Sequence, residues 1–148
     1  MGRTILLGFA AGFLAVLVFH QGTAVLLHLL TTKAGIGADV FGRVPFPYRT
    51  APVPPFGVPA VISAAFWGGV WGVVLAFLLR AFRPPDLLFG AVFGALALTL
   101  VAFTLVATLK GQPQFAGGNK QVWWRVLLYH AAWGWGAALL LRPFRRAV

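Results

Sequence analysis

The chain has 148 residues, of which 60% are apolar or aromatic and only 9% charged, with a net charge of +10 and a mean hydropathy of +0.88. Soluble domains are about a quarter charged, and a soluble fold of this size leaves much of its chain in water, so a bilayer is the solvent that suits this composition. The absence of cysteine excludes disulfides, thiolate metal centres and iron–sulfur clusters.

Four apolar segments are long enough to cross about 20 residues' worth of hydrocarbon, at residues 4–30, 59–79, 87–109 and 122–141. Lipid leaves no water to satisfy backbone groups, so each segment is expected to be a helix. The sequence thus predicts an all-α integral membrane four-helix bundle forming one transmembrane domain over residues 1–148. The first segment is read as a retained span, since its apolar run is long for a signal peptide and no A-x-A pattern follows it.

Between the first two segments, residues 45–59 read PFPYRTAPVPPFGVP and hold six of the ten prolines. This composition predicts an extramembrane loop of polyproline II type. Its aromatics, Phe46 and Tyr48 among them, are expected at the membrane interface or on a partner subunit. The short connection 80–86 is expected to close the second and third segments into an antiparallel hairpin. The third connection, KGQPQFAGGNKQ, lacks the G-K-[ST] ending of a phosphate loop.

Each segment carries small residues four apart: Gly8 and Gly12, Gly68 and Gly72, Gly90 and Gly94, Gly134 and Ala138. In lipid this spacing lets helix backbones approach closely. Most of these pairs fall toward the termini side of the bundle. His20 and His130 lie toward the other side, about 15 Å and about 12 Å from the ends of their segments at 1.5 Å per residue. The expectation is a bundle tight at one end and wider, with a cavity, at the other. Gln21 is expected to bond across to a neighbour such as Thr99 or Thr104, and His28 to sit at the boundary.

Four spans put both termini on one side. Arg3, Arg80, Arg83, Arg142, Arg145 and Arg146 crowd close to the helix ends there, which predicts that both termini are cytoplasmic and that these arginines meet anionic lipid or a partner. The basic charge is therefore assigned to topology and lipid, with no nucleic acid as partner. The two carboxylates, Asp39 and Asp86, both fall outside the spans, which argues against acidic proton relays, two-carboxylate hydrolysis and a Ser-His-Asp triad.

The expected function is that of a non-catalytic protein, an accessory or assembly subunit of a larger membrane complex of the bioenergetic kind, with no cofactor. One alternative is an electron-transfer role, with b-type haem or another tetrapyrrole held by His20 and His130 and with Arg125 and Lys33 meeting its propionates. Another is a small channel or transporter. The runs VFHQG at 18–22, APVPPFGVPAVISAAFWGGVWG at 51–72 and AWGWGAALL at 132–140 resemble a group of uncharacterised small four-span bacterial membrane proteins. That resemblance implies a bacterial inner membrane and four helices, and brings no activity and no site residues with it.

Overall fold

The computed structural model describes residues 1–144. The described residues are mostly helical, with four long helices and one short one besides 3-10 turns. Helix α1 runs Gly2–Lys33, and α2 is the single turn Ala38–Phe41. Strands β1 (Pro52–Val53) and β2 (Val58–Pro59) form an antiparallel ribbon. Helix α3 spans Ala60–Phe82, α4 spans Asp86–Leu109 and α5 spans Lys120–Leu141. Residues 145–148, and with them Arg145 and Arg146, lie outside the described residues.

By length and composition α1, α3 and α4 are apolar enough to cross a membrane. Helix α5 is as long but carries Lys120, Arg125, Tyr129, His130 and four tryptophans, which lower its hydropathy. The local signals explain where the helices begin and stop. Proline at 59 and at 84–85 precedes α3 and α4, and the Asp86 carboxylate accepts the Leu87 N–H at 2.9 Å. The Asn119 side chain caps α5 by accepting the Val122 N–H at 3.3 Å.

The small residues choose the helix partners. A Cβ built on Gly12 would stand 2.7 Å from the Gly72 Cα, and one on Gly8 would stand 2.8 Å from the Val73 Cα, so α1 and α3 touch backbone to backbone. A Cβ on Gly90 would stand 2.8 Å from the Ala138 Cβ, and the backbones of Gly94 and Gly134 also meet, which joins α4 to α5. All eight expected positions therefore fall in two interfaces. The two pairs join along α1 and α5. There Trp133 is buried and its indole N–H donates to the Gly12 carbonyl at 2.9 Å, and Phe19 packs on Gly136.

The expected hairpin of the second and third segments is corrected. Helices α3 and α4 stand apart, because each presents its glycine face to a different partner, and the gap is filled by Trp71 against Phe93, ring centroids 5.9 Å apart. The termini end is tied by Arg80 donating to Thr4 at 3.1 Å and by a two-point pair, Arg142 to Asp86 at 2.9 and 3.0 Å. The bond to Asp86 raises the Arg142 guanidinium above its ordinary pKa, which favours its charged form. Arg142, expected on lipid or a partner, is thus held by its own chain.

The proline-rich segment is not a free polyproline rod. Residues 52–59 turn back on themselves in the two-stranded ribbon, with Gly57 left-handed at φ +66°. The Ala60 and Val61 N–H groups donate to Ala51 and Arg49 at 3.0 Å each, which stitches the ribbon to the start of α3. Three side chains at the end of α1 hold the loop from the other side. His28 Nδ1 and the Thr32 hydroxyl donate to the Val44 carbonyl at 2.7 and 2.8 Å, and Thr31 accepts the Val44 N–H at 3.2 Å. His28 is therefore a loop anchor.

Candidate functional site

The cavity expected from the sequence is present. It occupies about 540 Å³ among α1, α4, α5 and the connection 110–116, at the end opposite the termini. That volume is within the range of small-molecule pockets, roughly 300–1,000 Å³. Its walls combine apolar surface from Ala102, Phe103, Val106 and Val126 with His20, Tyr129 and His130.

The two histidines that depth counting matched do meet, with ring centroids 5.8 Å apart and planes inclined by 44°. The Tyr129 ring lies 5.2 Å from that of His20. Each imidazole is oriented through one nitrogen. His130 Nδ1 is 2.9 Å from the Thr99 hydroxyl of α4, and His20 Nδ1 receives the Gln21 amide at 3.5 Å. Gln21 in turn accepts the Tyr48 N–H at 2.9 Å, while the Tyr48 hydroxyl donates to the Leu17 carbonyl at 2.8 Å. Among the described residues, the Nε2 atoms of His20 and His130 and the Tyr129 hydroxyl have no protein partner.

Several side chains differ from their sequence expectations. Gln21 bonds to the loop and to His20; Thr99 is taken by His130, and Thr104 donates to the Leu100 carbonyl of its own helix. Tyr48, expected on lipid or a partner, turns its polar atoms onto α1. Arg125 donates to the Arg43 carbonyl at 3.3 Å and, like Lys33, does not line the cavity. The cations that do line it are Arg49 and Lys110, both exposed and neither paired with a carboxylate among the described residues. Sequence reasoning missed them because each comes from a connection whose path depends on tertiary contacts. Tyr129 had a readable signal, being the neighbour of His130.

Of the π-helical stretches among the described residues, two reach this cavity, while Leu29–Lys33 and Gly94–Leu98 do not line it. Helix α1 widens to π geometry over Val16–His20 and α4 over Ala102–Val106, and both stretches contribute to the cavity wall. Such turns rotate the following residues and recur at functional sites. The connection that forms another wall is also constrained. Phe115 and Ala116 are left-handed at φ +50° and +51°, and Phe115 is held by the Trp123 indole N–H on its carbonyl and by the Phe103 ring.

In comparisons with protein-family models, with curated proteins and with solved structures, the chain matches none of them.

Proposed function

We propose that this chain is a four-helix integral membrane protein of a bacterial inner membrane, with both termini cytoplasmic. In this reading it catalyses no reaction itself and serves as an accessory or assembly subunit of a larger membrane complex. One observation carries the reading. The segment 42–61 is bonded to α1 and to the start of α3 and so holds Phe56 and Phe46 out from the surface, 86% and 64% exposed. Exposed apolar side chains on a fixed platform mark interaction surfaces, and a platform already ordered loses little freedom on binding. The glycine-joined helix pairs support the bundle. The arginines near the helix ends at the termini side support the orientation. Extraction in mild detergent followed by native gels and mass spectrometry tests the subunit role. Co-migrating protein that is lost on Phe56→Ala supports it, and migration of the chain alone at every detergent strength contradicts it.

A second reading, a tetrapyrrole between His20 and His130, is favoured by their adjacency and by the Thr99 hydroxyl that orients His130 while its Nε2 stays unbonded. Imidazole pairs suit the axial positions of b-type haem by donor type. A visible spectrum of purified protein decides the matter. A Soret band lost in His20→Ala supports haem, and a colourless, well-folded protein ends the reading.

A further inference from the structure

We propose that the cavity at the loop end is a binding site for an anionic amphiphile, with a phosphate or carboxylate group held by Arg49 and Lys110 and the apolar part against α4 and α5. The argument begins with charge. Lys33, Arg43, Arg49, Lys110, Lys120 and Arg125 gather at this end against the single carboxylate Asp39, and neither Asp39 nor Asp86 lines the cavity. The local field therefore favours negative charge.

Geometry adds to charge. Arg49 and Lys110 both line the cavity and have no carboxylate partner among the described residues. Arg49 is fixed in place through its backbone, since its carbonyl accepts the Val61 N–H at 3.0 Å. A guanidinium and an ammonium from residues that line one cavity suit a tetrahedral or planar oxyanion through charge-assisted hydrogen bonds. Deeper polar groups remain available to the same ligand: the Tyr129 hydroxyl and Nε2 of both histidines have no protein partner, yet none is sealed away from the cavity. Ala102, Phe103, Val106 and Val126 then supply apolar wall. Donors and cations without acceptors, beside apolar surface, describe an anion with a hydrocarbon part.

A lipid headgroup and a free phosphate share this chemistry. Only the lipid source rests on the membrane placement; the anion site itself does not. The test uses the full chain in neutral detergent, with phosphatidic acid, phosphatidylcholine of the same acyl chains and inorganic phosphate as probes. Native mass spectrometry reads lipid retention and thermal unfolding reads phosphate. The expected result is about tenfold stronger retention of phosphatidic acid than of phosphatidylcholine. That preference is lost in the double variant Arg49→Gln/Lys110→Gln and kept in Lys33→Gln, whose position does not line the cavity. Circular dichroism verifies that the variants fold, and both substituted side chains are exposed. If phosphate alone stabilises the protein, the double variant removes that effect and phosphatidic acid adds nothing more, the site takes a free anion. Equal retention of the two lipids with no phosphate effect, or anion binding unchanged in the double variant, overturns the proposal.

Discussion

The two ends of the molecule solve opposite problems with the same long helices. Toward the termini, glycine and alanine bring backbone onto backbone, and a built Cβ meets main-chain atoms at both interfaces. Toward the loops, the same helices carry histidine, tyrosine and branched side chains and part around about 540 Å³. The contrast within α1 is direct. Gly12 has no room for a methyl group, whereas a Cβ on Gly22 meets nothing within 4 Å. Close packing at one end fixes the frame, and the frame holds open the other.

Substitutions that exchange these roles test the comparison, beginning with the largest effect. Gly134→Leu drives a side chain into the Gly90 backbone and is expected to destabilise the protein by about 3 kcal/mol or more, read from the unfolding midpoint in detergent. Trp133→Ala empties the junction between the helix pairs and is expected to cost about 3–5 kcal/mol, whereas Trp133→Phe, which keeps the ring and loses the bond to Gly12, costs about 1 kcal/mol. A Phe variant as damaging as the Ala variant would show that the hydrogen bond outweighs the packing.

Smaller effects of opposite sign probe the open end. Gly22→Ala adds a methyl group where there is space and removes helix-interior glycine, so it stabilises by about 0.5–1 kcal/mol. Gly12→Ala should do the reverse. Ala116→Gly relieves a left-handed residue in the cavity wall and is expected to stabilise by about 1 kcal/mol. Asp86→Asn removes the buried carboxylate that the half-exposed Arg142 grips. It gives the smallest shift, one that shrinks further at high salt because the arginine side chain is half exposed.

The parts legible in the sequence were those with a period. Four-residue spacing of small residues marks all eight contact positions, and residue counting at 1.5 Å per step brings His20 and His130 to one level. What spacing does not encode is partnership. Gly8 and Gly12 fit any glycine face, so the α1–α3 and α4–α5 pairs, and the separation of α3 from α4, emerge only when all faces compete. Gln21 was misassigned for a related reason: its partner Tyr48 arrives from a loop whose path is set by His28, Thr31 and Thr32. The proline segment reads as a polyproline II loop because proline biases φ locally, whereas the ribbon pairing of 52–53 with 58–59 and the bonds from Ala60 and Val61 to Ala51 and Arg49 fold it back within about a dozen residues.

Reactivity of cysteines placed at the two ends tests the central contrast most directly, since the natural chain has none. Val126→Cys lines the cavity, whereas Ala137→Cys replaces a fully buried residue at the tight end. In intact membranes a water-soluble anionic methanethiosulfonate should modify the cysteine at 126 and leave that at 137 unmodified. It should also outpace a cationic reagent of the same size at 126 by about tenfold, as the basic surround attracts anions. Equal modification of both positions, or a faster cationic reagent at 126, would contradict the account of a tight frame supporting an anion-attracting cavity.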